Sequence, residues 1–298
     1  MSDDLPPGPE RCGPEYFSGT WGDLVWTGWF SFAAMKEEFR NLPGEPGLYR
    51  IRAGGDDSLL YIGETRRPLS ARLNGLRQSL RNRDLMPWSD PFTEAPALWA
   101  LQDAEGISFE CSAAPLDASR NGRRGMESLL LARYRQERGG SPACNFNRFP
   151  PRYRSSTSRA GGLRGGRLAT GQQENPAGGP GTPPLPEIGS PGDPDWMGLC
   201  WTARELVPQT LASISPGPGV FVISVPGSEE ILVIGQAADC AARLREFCSV
   251  CPDSVQVSLS PVPGPVPPSH LKELANDLLG NYFSKFRRVP AWQFGRTG

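Results

Sequence analysis

Four side chains in the first half of this 298-residue chain are of the types that phosphate chemistry uses: Glu127, Arg72, Tyr49 and Tyr61. Glu127 shares a helical face with Leu130, Leu131 and Tyr134, because spacings of three, four and seven residues return to one side of a helix. A carboxylate turned toward a core stripe loses hydration, and either a divalent cation or a pairing with Arg123 or Arg124 at the stripe's edge must offset the loss. Arg72 stands three residues after Leu69 in a helical stripe that continues through Leu73, Leu76 and Leu80. From there a guanidinium reaches either the mouth of a cleft, where its planar fork suits phosphate oxygens, or plain solvent. Tyr49 and Tyr61 fall on two short apolar runs. They act either as core filling or as hydroxyl donors and acceptors.

The elements that must position these groups occur twice. Each half begins with Trp-Thr (Trp26-Thr27 and Trp201-Thr202), passes a short helical stretch and a Pro-Gly turn, and enters an apolar pair of runs. These are Gly47-Leu48-Tyr49-Arg50-Ile51 with Leu60-Tyr61-Ile62-Gly63, and Gly219-Val220-Phe221-Val222-Ile223 with Leu232-Val233-Ile234-Gly235. Two apolar runs joined by a short polar turn predict a β-hairpin. A helix carrying Ala-Arg-Leu follows in each half (Ala71-Arg72-Leu73; Ala242-Arg243-Leu244), then an alternating strand (107–112; 255–260), a second helix and a Pro-Ala-X-X-Phe-X-Arg ending. Met126 to Arg148 and Leu274 to Arg296 align without gaps and share seven identities in 23 positions, where unrelated segments would share roughly one or two. Duplication explains the pattern, and each unit reads β-β-α-β-α, an α/β (α+β) sandwich with helices flanking a small sheet. The second copy has Phe221, Val233, Ala275 and Gln293 where the first has Tyr49, Tyr61, Glu127 and Asn145. It keeps Arg243 and should be catalytically silent.

Gly47-Leu48-Tyr49, Tyr61-Ile62-Gly63-Glu64-Thr65, Arg72, Glu127 and Asn145, in this order over residues 45–148, resemble the signature of the GIY-YIG nucleases. The resemblance implies metal-dependent endonucleolytic hydrolysis of nucleic-acid phosphodiesters, with DNA the expected substrate and restriction or genome defence one setting. It implies that Glu127 is the sole protein ligand to one Mg²⁺ or Mn²⁺, that Tyr49 activates the attacking water, and that Tyr61 lines the site near the nucleophile. Arg72 would hold the scissile phosphate and Asn145 would position the facing cleft wall. A phenol whose pKa is lowered by nearby cations can take a proton from water, which fits that assignment. Where the family often has histidine or tyrosine, four residues after the arginine, this chain has Leu76, and the Gly63 to Arg72 spacing is one residue longer than is common.

Candidate substrate contacts are Thr65, Arg66, Arg67, Arg77 and Arg81. The last two lie in a 74–105 insert that the second copy lacks, which also carries Trp88 and Trp99; basic residues with interleaved aromatics suit either nucleic-acid contact or an accessory packing element. Residues 152–195 hold ten glycines and seven prolines and no apolar periodicity, so they are expected to form a disordered tether between a nuclease-like domain (26–151) and the degenerate copy (196–298), with 1–25 an extension. The net charge of −1 hides a basic excess in the first 168 residues and an acidic one beyond, which favours the first half as the polyanion partner. No apolar run has the length of a membrane span, and no basic-then-apolar leader opens the chain, so a cytoplasmic protein without membrane contact is expected. Seven cysteines, an odd and modest number, are expected to be mostly free thiols, with Cys248-Ser249-Val250-Cys251 a weak zinc candidate. His270 is the single histidine, which leaves no room for a histidine-rich metal cluster. A fused pair of like units makes a monomer with an intramolecular pseudo-dimer plausible. The competing reading is a nucleic-acid- or protein-binding module of the same fold that has lost turnover.

Overall fold

The computed structural model describes residues 13–206, 214–248 and 255–295. In the first unit the hairpin forms as expected. Strand β1 (Phe30–Ser31) precedes β2 (Gly47–Ala53) and β3 (Leu59–Thr65), followed by helices α1 (Leu69–Ser79) and α2 (Ala95–Glu105), strand β4 (Phe109–Pro115) and helix α3 (Arg120–Arg138). These strands form an antiparallel sheet in the order β1-β4-β2-β3. Period-two alternation sends Tyr49 and Ile51 to the face covered by Leu69, Leu73 and Leu76 of α1 and Ala95 and Leu98 of α2. Leu48 and Ile62 go to the opposite face, covered by Leu129 and Leu130 of α3.

A two-stranded ribbon of β5 (Tyr153–Arg154) and β6 (Gly166–Arg167) comes next. The second unit then repeats the plan with β7 (Glu205–Leu206), β8 (Gly219–Ser224), β9 (Ile231–Ala237), α4 (Cys240–Cys248), β10 (Gln256–Pro261) and α5 (Pro268–Phe286). Its sheet order, β7-β10-β8-β9, is that of the first unit position for position. Both hairpins even carry a register shift at the same place, between Ile51 and Arg52 and between Ile223 and Ser224. The architecture is thus α+β with two like units. Each has a short edge strand after Trp-Thr that the periodicity did not predict. The helical stretch expected between that strand and the hairpin is a single 3-10 turn, Glu38–Asn41; its counterpart falls largely on 207–213, outside the described residues.

The units pack through α3 and α5, which run antiparallel. Gly125 faces the Phe283 ring, and Asn276 Nδ2 donates to Ser128 O at 3.2 Å. A Cβ on Gly280 would lie 2.7 Å from that same Ser128 oxygen, so glycine permits the close approach. Further along, Arg135 Nε meets Asp277 Oδ1 at 2.7 Å and its Nη2 meets Oδ2 at 3.0 Å, all fully buried. The Gly125 and Arg135 ends of α3 therefore meet opposite ends of α5, as a pseudo-two-fold arrangement requires.

Residues 152–195 are not a free tether. Tyr153 is buried and its hydroxyl donates to Asp103 at 2.7 Å, Arg164 caps the Trp88 ring at 4.3 Å, and Thr182 N donates to Glu273 Oε2 at 2.7 Å. Composition misled here because the segment has no core of its own and borrows one from the bodies on either side. Of the N-terminal extension, Tyr16 and Trp21 are buried against the first unit, and the Arg50 guanidinium, enclosed between Trp26 and Trp29, donates to the carbonyls of Tyr16 and Ser18. Among the described residues no helix is long and apolar enough to cross a membrane.

Candidate active site

The two tyrosines meet over Gly63 on the edge strand β3. A Cβ at Gly63 would lie 2.6 Å from the Tyr61 ring and 2.9 Å from the Tyr49 hydroxyl, so the bare backbone is what lets both rings lie there, 5.8 Å apart between centroids. Gly235 plays the same part beneath the Phe221 ring in the second unit. The glycine of this motif is therefore scaffolding, needed with or without the hydroxyls.

Tyr49 is fully buried and donates from Oη to Glu94 Oε1 at 2.8 Å. Arg72 reaches in from α1. Its Nη2 donates to both Glu94 oxygens, at 2.8 and 2.9 Å, and to Tyr49 Oη at 3.0 Å, while Nη1 donates to Pro91 O at 3.0 Å. Glu94, just before α2 and buried, is the residue that the sequence reading missed. Its signal was a lone acid within the apolar run Pro91-Phe92-Thr93-Glu94-Ala95-Pro96, in a segment that the second unit lacks.

Burial raises the Tyr49 pKa well above the ordinary phenol value and the Glu94 charge raises it further; Tyr61 is raised by burial, Glu94 and Glu127. This reverses the expectation that nearby cations would acidify a phenol: Arg72 does act in that direction, but burial and Glu94 outweigh it. Both tyrosines keep their protons at neutral pH. For Arg72, burial opposes the charge, and Tyr49 and Glu94 more than restore it.

Glu127 projects from α3 into a cleft of about 910 Å³ between the two units. Tyr61, Glu94, Arg124 and Asn145 line it from the first unit, and Gln236, Lys272 and Ala275 from the second. Tyr49 and Arg72 stand behind this wall, tied to Glu94. Burial first, and Glu64 second, push the half-buried Glu127 carboxyl up to about 8; Arg124 and a backbone hydrogen bond from Glu64 act the other way. Such a carboxyl holds its proton at neutral pH until a cation takes its place. Among the described residues, no three His, Cys, Asp or Glu side chains cluster closely enough to form a metal cage. One carboxylate facing an open polar cleft still fits a Mg²⁺-type ion, which keeps most of its water and binds through one or two carboxylates plus substrate phosphate oxygens.

The remaining site residues divide cleanly. Asn145 is buried and spent on backbone: its Oδ1 accepts from Ile62 N at 3.0 Å and its Nδ2 donates to Ile62 O at 2.8 Å, pinning β3 beside the cleft. Thr65 is also internal, its Oγ1 accepting from Arg67 N at 3.0 Å. Arg77 is buried, donating to Ala34 O at 2.9 Å over the Phe39 ring, and so is withdrawn from any substrate. Arg66, Arg67 and Arg81 are exposed. Trp99 is buried with its indole N–H on Asn82 O, and Trp88 is capped by Arg164, so the insert's tryptophans pack the protein. Leu76 is fully buried in the core, which closes that position to site chemistry. Cys111, Cys144, Cys200 and Cys240 are free thiols; Cys12, the Cys248 side chain and Cys251 lie outside the described residues. His270 is bonded to Pro180 O at 2.9 Å, away from the cleft.

No family model, curated protein or solved structure matches the chain.

Proposed function

We propose that the protein is a metal-dependent endonuclease whose first unit hydrolyses nucleic-acid phosphodiester bonds, DNA being the first substrate to test. One observation carries this reading: Glu127 and Tyr61 open onto a single cleft, and Glu94, closed to solvent in its wall, bonds Arg72 and Tyr49 directly behind it. A divalent ion at Glu127, Mg²⁺ or Mn²⁺, would neutralise charge on the phosphate and on the leaving oxygen. The chain's own groups do the rest. Tyr61, kept protonated, donates a hydrogen bond into the cleft. Glu94, whose side chain is closed to solvent, anchors Tyr49 and Arg72 in the wall behind the cleft by accepting from both. Tyr49 thereby becomes a positioning residue, held by an acid of the insert.

Glu127→Ala should reduce nicking of supercoiled plasmid in Mg²⁺ by about 10³-fold or more while leaving DNA binding intact. Unchanged nicking would remove the metal-site assignment. A second reading, a binding module without turnover, is favoured by the pairing of Arg72 with Glu94, which engages the guanidinium that would otherwise hold a phosphate. Wild-type protein that retards DNA in a gel yet never cuts it with Mg²⁺, Mn²⁺ or Ca²⁺ would decide for that reading.

A further inference from the structure

Of the side chains on which the proposed chemistry depends the second unit keeps only an arginine, Arg243, yet it builds half the cleft wall, and it places a cation there. Lys272, in the first turns of α5, lines the same cleft as Glu127 and is half-buried. Among the described residues its ammonium makes no hydrogen bond and no ion pair.

The cations around it behave differently. Arg72 is paired with Glu94 at 2.8 Å, Arg123 with Glu64 at 3.4 Å, Arg135 with Asp277 at 2.7 Å and Arg148 with Glu273 at 3.1 Å. Arg124 lies over the Phe294 ring at 3.9 Å. Each of these charges has an internal partner, as partly desolvated charges generally do. Lys272 does not. Burial lowers its pKa and no acid acts to restore it, so the ammonium's desolvation is uncompensated within the protein. The adjacent carboxylate offers no remedy, because Glu273 is already shared by Arg148 and the Thr182 backbone. The first unit has Arg124 at the position corresponding to Lys272, so the pseudo-two-fold brings a cation from each unit to the same cleft.

We propose that Lys272 contacts a phosphate of a polynucleotide lying in this cleft, so that the strand cut by the first unit is held by the second. The cleavage part of this statement rests on the nuclease reading; the binding part does not. An ammonium is a strong point-charge partner for a phosphate, and a backbone contact of this kind fixes the strand's position without reading its sequence. The second unit then has a function that its lost tyrosines and glutamate conceal.

The test uses the full-length chain carrying Glu127→Ala, so that binding is measured without turnover, and a short DNA duplex as the probe. Adding Lys272→Ala should weaken binding roughly fivefold to tenfold and lower the slope of log affinity against log salt by about one. Lys272→Arg should restore most of both, and the unfolding temperature of Lys272→Ala should not fall, which separates a lost contact from a damaged fold. Affinity and salt slope both unaffected by Lys272→Ala would overturn the proposal. So would inorganic phosphate that competes as effectively as an equal concentration of DNA phosphate, since that would mark a simple ion site. If the wild type never cuts DNA but Lys272→Ala still shows the salt signature, the nuclease reading fails and this one stands. If the wild type cuts and Lys272→Ala binds and cuts equally well, only this one fails.

Discussion

In the first unit Asn145 clamps the backbone of Ile62 from both sides; in the second, Gln293 does the same to Ile234, accepting from N and donating to O, each at 2.8 Å. Thr27 bonds Ala113 N through its hydroxyl at 3.0 Å, and Thr202 bonds Leu259 N at 3.0 Å. The Trp26 indole donates to Trp21 O and the Trp201 indole to Trp196 O. Against this agreement stand Tyr49 and Phe221, Tyr61 and Val233, Glu127 and Ala275. Arg72 and Arg243 match in type and differ in place: Arg72 is held by Glu94, while Arg243 is exposed and pairs with its helix neighbour Glu246 at 2.6 Å. What survives duplication is a side chain whose partner is backbone, which any sequence on the same frame still supplies. Tyr49, which is lost, had the Glu94 side chain as its partner, and the two vanish together.

The contact between the units is itself unequal, and breaking its ionic end should have the largest effect on stability. Where the pseudo-two-fold places apolar Gly125 against Phe283, its mate places Arg135 against Glu273 and Asp277. Arg135→Ala leaves two buried carboxylates without their main cation, with Arg148 and the Thr182 and Leu185 backbone as residual partners. Unfolding in urea should show a loss of about 3–5 kcal/mol. A loss of under about 1 kcal/mol would mean that the units do not depend on this junction.

The paired clamps give a smaller and more symmetric test. Asn145→Ala and Gln293→Ala each orphan one N–H and one carbonyl, at Ile62 and Ile234, and each should cost about 1–3 kcal/mol. Equal losses confirm a shared structural duty. If Asn145→Ala costs little stability but abolishes nicking, while Gln293→Ala does neither, Asn145 belongs to the chemistry after all.

Period-two apolar runs and the repeat itself made the hairpins and the duplicated plan legible, because alternation and spacing are local properties. Glu127 and Tyr61 were also within reach, since each sits on an element whose face the pattern fixes; Asn145, in a turn, was reached only through the family resemblance. Glu94 was not: its significance comes from Tyr49 and Arg72, which lie far from it in the chain and reach it only through folding. Arg77 and Trp99 failed in the opposite sense, as types suited to nucleic acid that the core consumed. Composition misjudged 152–195 for a related reason, because Tyr153 and Arg164 find their apolar partners outside the segment.

The smallest effect separates the units by pH. In chelator, Glu127 is held protonated up to about 8 in the folded chain and titrates at the ordinary carboxylate value when unfolded. The folded state then binds more protons between those values, so this residue's contribution to stability is present below the ordinary value and is lost as pH rises toward and through 8. Solvent in the open cleft screens the effect to about 1 kcal/mol, or about 2–4 °C in Tm. Glu127→Gln should remove this slope, and Ala275 leaves the second unit with none to remove, so the wild type should melt progressively below the variant as pH rises from 5 to about 8.5. Lys272, Glu273 and Asp277 also titrate differently in the folded chain. They are common to both proteins and cancel in the difference. Mg²⁺ should narrow the gap at the alkaline end by replacing the lost proton; parallel melting curves at every pH would show that the Glu127 carboxyl is no harder to ionise than one in water.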